Sequence, residues 1–373
     1  MECEKIKVIH FLSTISISSG VASVIMNYYR YIDREKIQFD FIYFDDSDIT
    51  YEKEIKNLGG KIYKVTRPSL DKKFFEQVKN IFNKYDGKST ILHNHELYLN
   101  VFLYKIAKKS NLKAIIGHSH TTKYSDKFIN SIRNKILCLG LHKKLNYLMA
   151  CSKAAGITYY GREDVEQNKV FILNNAINYN KFKYDSVIRE DLRKKLNLND
   201  KFVVGHVGRF NKQKNHKFIL EVFKEIISIN QESVLMLIGE GPMFNEIVHL
   251  SETMNIKDNI LFLGRKNNVN EFLQVMDCFL LPSLYEGLPV IGVEAQASGL
   301  QCFMSNNITN ETDLGKVKFL SLNESAKKWA EVIMSFNYGN RNESLSNVLI
   351  ESGFDIENEV KRLENFYFLI IED

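Results

Sequence analysis

Short apolar runs alternate with helix-length amphipathic segments along almost all of this 373-residue chain, and no other feature restricts the fold as much. Residues 7–12, 39–44, 61–65, 90–93, 114–116, 147–150 and 170–173 read as strands; 21–31, 71–84, 97–109 and 127–145 read as helices. Strand and helix in strict alternation require βαβ units, hence a parallel sheet covered on both faces. The alternation pauses over 174–200, where Asn174-Asn175-Ala176-Ile177-Asn178-Tyr179-Asn180 precedes a charged, weakly apolar stretch that reads as boundary and linker. It resumes with strands at 202–206, 234–238, 260–263, 278–281, 301–304 and 317–320 and a clear helix at 217–229. The fold class is therefore α/β, with two Rossmann-like domains in series, 1–177 and 178–355. A closing helix, about 356–373, carries Val360, Leu363, Phe366, Tyr367 and Ile370 at helical spacing and is expected to pack back on the first domain.

The length suits two domains of roughly 150 to 200 residues and a cleft between them. Hydrophobic residues make up 45% and charged residues 25% of the chain, and no uninterrupted apolar run approaches the ~18 residues of a membrane span. The N-terminus mixes charges of both signs and reads as a first strand rather than a secretory leader. Five scattered cysteines, Cys3, Cys138, Cys151, Cys278 and Cys302, form no Cys-x-x-Cys pair and read as small core residues of a reducing cytosol. Net charge is only +5, yet between Leu97 and Arg162 Asp126 is the one acid among many Lys and Arg residues. One face of the first half should be strongly positive. Within that window, 123–144 mixes basic residues with Phe128, Ile129, Ile132, Ile136, Leu137, Leu139 and Leu141, a composition suited to an anionic membrane surface.

Candidate site residues lie where strands run out. Glu286 and Glu294 stand eight residues apart around Gly287-Leu288-Pro289, between a strand and a helix start; backbone N–H groups there can face an anion, and the acids can accept from sugar hydroxyls. Gly208-Arg209-Phe210 ends another strand, five residues before Lys214, so that Arg209 and Lys214 can converge on a diphosphate and stabilise its departure. Gly239-Glu240-Gly241-Pro242 supplies a small-residue turn for close backbone approach to a nucleotide, though Phe244 stands where a dinucleotide fingerprint needs its third Gly. Ser19-Gly20 before the first helix can contact a phosphate or sugar or can simply cap the helix. His118 and His120, in His-Ser-His at another strand end, can bond to a sugar or acceptor; the sequence leans to His118 without choosing. Asp46-Ser47-Asp48 has the acid-x-acid form of a metal site but reads as a solvated loop, so no metal and no cofactor are expected.

Together these motifs resemble the GT-B glycosyltransferases of the retaining family 4 type, particularly bacterial enzymes of capsular and extracellular polysaccharide assembly. The resemblance covers nearly the whole chain. It implies an N-terminal acceptor-binding domain and a C-terminal nucleotide-sugar-binding domain facing across a cleft. Arg209 and Lys214 would hold the diphosphate, Glu286 the donor sugar, Glu294 the ribose, and Gly287 to Pro289 would line sugar and phosphate. It implies front-face transfer with retention and no protein nucleophile. Two departures touch the first loop and the boundary: Ser19 replaces the first residue of a usual Gly pair, and Ala176 stands where a Gly is usual. The expected protein is cytoplasmic and peripheral at the inner face of the plasma membrane. It would move a sugar from a nucleoside diphosphate, with UDP expected, to a lipid-linked glycan, and would bind no nucleic acid. An epimerase of the same fold acting on UDP-N-acetylglucosamine and a non-catalytic binder of membrane glycan or lipid are the alternatives.

Overall fold

The computed structural model describes all residues except 1–4, 48, 70–71, 126–127, 141–143, 339–340 and 342–343. The chain forms two compact units: Met1–Ala176 together with Ile356–Asp373, and Ile177–Asp355.

The first unit is built on a seven-stranded sheet of β1 (Ile6–Phe11), β2 (Ile37–Tyr43), β3 (Ile62–Lys64), β4 (Thr90–Asn94), β5 (Ala114–Ser119), β6 (Tyr147–Ala150) and β7 (Val170–Ile172), in the order β3-β2-β1-β4-β5-β6-β7. All neighbours are parallel. β1 and β4 are buried almost throughout, and their polar members His10, His93 and Asn94 are enclosed together with the apolar ones. On one face Ile9, Phe11, Leu92 and Ile115 meet Phe74, Val78 and Phe82 of the helix Lys72–Phe82. Towards the other lies the helix Gly20–Tyr31, whose buried Tyr29 stacks on Phe39, and the helix Ile356–Glu372, whose buried Tyr367 meets Phe39 edge-on. The last helix is thus part of the first unit; Glu364 accepts from the Asp33 backbone and Asp373 from the Tyr147 hydroxyl.

The second unit has a six-stranded parallel sheet of β8 (Phe202–Val207), β9 (Ser233–Ile238), β10 (Ile260–Phe262), β11 (Cys278–Leu281), β12 (Gln301–Ser305) and β13 (Val317–Leu320), in the order β10-β9-β8-β11-β12-β13. Ile219, Val222, Phe223 and Ile226 of the helix His216–Ile229 pack against Leu235, Leu237 and the fully buried Trp329. In each sheet the direction of winding reverses once, between β1 and β4 and between β8 and β11, and open α/β sheets bind ligands at such reversals.

Three expectations need correction. The supposed linker at 174–200 contains the helix Ser186–Lys195, docked on the second unit by guanidinium groups instead of an apolar face. Arg189 donates to the carbonyls of Gln274, Val275 and Met276; Arg193, 7% exposed, donates to those of Val275 and Leu198, and both pair with Asp277. The helix read at 127–145 ends at Cys138, and Gly140 follows with a left-handed φ of 66°. Several helices passed unread, among them Glu52–Asn57, Lys153–Tyr160, Phe244–Thr253 and Ala326–Ser335. Among the described residues no helix is long and apolar enough to cross a membrane.

Candidate functional site

At the winding reversal of the second sheet, the loops after β8 and β11 carry the charged groups. Asn211 caps the turn Lys212–Lys214, accepting from the Lys214 backbone at 3.2 Å, and Asn215 closes it in the left-handed conformation. The Asn215 amide then donates to the Pro282 carbonyl, which ties the turn to the loop after β11. In this way Lys214 is delivered to Glu286, with Nζ 2.7 Å from Oε1 and side chains only 14% and 9% exposed. Gln213 donates to the other carboxylate oxygen, Oε2, at 3.0 Å and to the Tyr285 carbonyl at 3.0 Å. Sequence reasoning assigned Lys214 and Glu286 to separate parts of a donor. The structure pairs them, and it adds Gln213, whose neutral amide gives no signal in sequence.

Arg209 is exposed and makes no ion pair among the described residues, so its guanidinium can turn toward an anion. A Cβ on Gly208 would lie 2.9 Å from His206 Nε2 and 3.2 Å from the Lys214 stem, so a side chain there would displace one or both. The two glycines of the β9 loop have a purpose different from the one expected. A Cβ on Gly239, whose φ is 138°, would fall 2.0 Å from the Gly208 carbonyl, and one on Gly241 would fall 2.4 Å from that of Phe210. Their close approach is to the β8 loop backbone, stitched by Gly208 N–H to Ile238 O and Phe210 N–H to Glu240 O, both at 2.9 Å. They shape the site from behind.

Buried Gly287, Leu288 and Pro289 lead into the helix Val290–Ala297, with Pro289 at its N-cap and no side chain capping it. Its first N–H groups are oriented as an anion site requires. One turn further on, Glu294 is half-buried; burial pushes its carboxyl up to about 7, partly offset by Lys181 of the helix Tyr179–Phe182.

In the first unit Ser19 is the N-cap of the helix Gly20–Tyr31, its hydroxyl accepting from Ala22 N–H at 3.3 Å, and the space beside Gly20 is open. At this sheet's reversal stand five histidines, three of which sequence reasoning passed over. The parallel register sets His10 opposite His93 and His93 opposite Ile116, so His118, two residues on, shares their face. His-x-His occurs twice, at 93–95 and 118–120, and period-two placement was the available signal. Two bonded files result. His10 Nδ1 meets His95 Nε2 at 2.9 Å and His95 Nδ1 meets His120 Nε2 at 2.7 Å; His118 Nδ1 meets His93 Nε2 at 3.0 Å and His93 Nδ1 meets the Tyr367 hydroxyl at 2.8 Å. Burial, joined in all but His120 by neighbouring imidazoles, lowers every one, His10 and His120 to about 3. His118 is 2% exposed, while His120 is half-buried at the rim. Asp46 pairs with Lys64 and Asp45 with Arg67, and Asp48 lies outside the described residues.

The helix Phe128–Cys138 exposes Ile129, Ile132, Ile136 and the following Leu139, 80%, 47%, 61% and 69% accessible, at spacings of three, four and three. Arg133 and Lys135 are exposed among them.

Two parallel sheets in series, each with one winding reversal, form the GT-B architecture. Residues 188–348 match the model of the glycosyl transferases group 1 family. The chain is 32% identical, over its whole length and 99% of the relative's, to EpsF of Bacillus subtilis (strain 168), whose name assigns it to the glycosyltransferases. The chain therefore belongs to the group 1 glycosyltransferases. It is 29% identical, over 54% of its length and 55% of the relative's, to the Escherichia coli UDP-Gal:α-D-GlcNAc-diphosphoundecaprenol α-1,3-galactosyltransferase. Among solved structures, Anabaena HepE in complex with UDP-glucose superposes with a TM-score of 0.78 at 15% identity, over 96% of this chain and 98% of HepE.

Proposed function

We propose that this glycosyltransferase moves a sugar, with retention, from a UDP-sugar held by the second unit to a lipid-linked glycan acceptor of cell-surface polysaccharide biosynthesis, recognised by the first. The Lys214–Glu286 pair carries the reading. A buried carboxylate held by an ammonium and an amide can accept from sugar hydroxyls, and Lys214 and the exposed Arg209 would meet the charge that develops on a diphosphate bound at the N-terminus of the helix Val290–Ala297. Glu294 accepts from the ribose, and His118 and His120 orient the sugar or acceptor. Charge on the leaving diphosphate is met by side-chain cations and backbone dipoles, so the transfer needs neither a cofactor nor a protein nucleophile. UDP and the lipid-linked acceptor are supported by the name of the E. coli relative, and polysaccharide assembly also by the capsular proteins CapM and CapH of Staphylococcus aureus among the relatives. The exposed Ile129/Ile132/Ile136/Leu139 stripe and its basic neighbours rest on the anionic face of the membrane that presents the acceptor, at the cytoplasmic side.

A panel of nucleotide sugars, assayed for nucleotide release with undecaprenyl-diphosphate-linked acceptors, tests the proposal. Release should require an acceptor and should fall about ten- to a hundredfold in Glu286→Ala, the effect of losing a charge-assisted hydrogen bond worth about 1.5 to 3 kcal/mol. Donor turnover without an acceptor would favour epimerisation, and failure to bind any nucleotide would sink the transferase assignment.

A further inference from the structure

The histidine files at the first sheet's edge amount to more than a place to bond a sugar. We propose that His95, His118 and His120 form a binding site for a borderline-soft divalent transition metal of the zinc class, built from residues of the first unit alone.

One ring nitrogen from each of the three lies within 4.8 Å of the others. His95 Nδ1 and His120 Nε2 already face each other at 2.7 Å. Ligands at about 2.05 Å from a tetrahedral metal stand about 3.3 Å apart, so that pair opens by roughly half an ångström and His118 closes in by at most about 1.5 Å. Side-chain rotations cover such distances.

A second, independent observation is His118 Nε2. It is buried and has no hydrogen-bond partner among the described residues. A buried polar atom left unpaired is costly, and coordination satisfies it. Ligation through Nε2 fixes the tautomer of the rest of the file: His118 Nδ1–H donates to His93 Nε2, and His93 Nδ1–H donates to the Tyr367 hydroxyl. That is the outer support metal-bound histidines characteristically have, and on the other side His95 has its own in His10. A second triad, His10, His93 and His95, is also close enough, but all its members are buried and His93 uses both its nitrogens. His120, half-buried at the rim, gives the first triad its access route. Three imidazoles leave a fourth position for water or a ligand hydroxyl.

The test uses the full chain, stripped with a chelator and titrated with Zn²⁺ or Co²⁺ without donor or acceptor, so its outcome does not depend on the transferase reading. About one tightly held metal per chain is expected, with the intense visible bands of four-coordinate Co²⁺. Stoichiometry and bands should vanish in His95→Ala and His120→Ala and persist in His249→Ala, which removes an exposed histidine elsewhere. Tyr367→Phe should weaken binding about ten- to a hundredfold while leaving the stoichiometry intact. Circular dichroism checks folding, and should His95→Ala unfold, the rim substitution His120→Ala decides. Absence of stoichiometric binding, weak six-coordinate spectra in every variant, or full retention in His120→Ala would each overturn the site.

Discussion

Lys214 and Glu286 bind each other in a place with little solvent, so each is the other's main compensation for burial. Removing Glu286 takes the counter-charge from the buried Lys214 ammonium, and removing Lys214 leaves the carboxylate with the Gln213 amide but without its cation, at a cost of about 3 to 5 kcal/mol. Lys214→Met should therefore lower the thermal stability of the second unit as well as abolish transfer. The double substitution Lys214→Met/Glu286→Leu should recover most of the stability and none of the activity; calorimetric unfolding with a turnover assay separates the two effects. Glu294 gives a pH signature. Its folded-state pKa is raised to about 7 from an ordinary value of 4.5. The protonated form is thus favoured by folding, and this contribution, full below pH 4.5, is lost as pH rises toward 7. Glu294→Gln should flatten the stability profile over that window. Ribose hydroxyls favour the ionised form, so nucleotide binding near pH 6 should release a proton, visible as a buffer-dependent heat in titration calorimetry that the variant lacks. Both acids were legible in the sequence because they bracket a strand–turn–helix junction, whereas their pairing and environment were not. Lys214 meets Glu286 only because Asn211 and Asn215 fold a three-residue turn, and Gln213 has no charge to betray it.

At the scale of elements, the strands were readable because each carries a short apolar run, even where His10, His93 or His118 interrupts it. β6, β11 and β13 lie where the apolar runs lie. The helix Ser186–Lys195 was not readable, since it is held by arginines on carbonyl groups and hydrophobic periodicity is blind to that mode of attachment. Asp277→Asn should loosen it, detected as faster amide exchange over 186–195 with little change elsewhere. The glycine loops after β8 and β9 support the site through backbone contact. Gly239→Ala, placing a methyl 2.0 Å from the Gly208 carbonyl at a φ of 138°, should push the β8 loop aside and raise the apparent KM for the donor at least about tenfold. The helix Phe128–Cys138 keeps its apolar stripe outward, the reverse of what core packing demands. Ile129→Ser/Ile132→Ser/Ile136→Ser should abolish co-sedimentation with anionic vesicles while leaving turnover of a water-soluble acceptor unchanged. Retained vesicle binding would remove the helix from that role.

For the whole molecule, one topological fact outlasts the details: the segment Ile356–Asp373 belongs to the first unit although the second intervenes in sequence. Val360, Leu363, Tyr367 and Ile370 are buried there, each worth about 1.5 to 3 kcal/mol, a sum comparable with the 5 to 15 kcal/mol of a typical domain. A chain ending at Asp355 should thus keep a protease-resistant second unit that still binds nucleotide, beside a first unit that is digested. In the living cell the same fact sets an order of events. At roughly 5 to 20 residues per second, synthesis of Ile177–Asp355 takes on the order of ten to forty seconds. Through that interval the earlier-made half waits without the Tyr367 ring that meets Phe39 and His93, while the later-made half has every strand it needs. The unit synthesised second is then the one that finishes folding first, and chaperone demand should fall on the nascent N-terminal half.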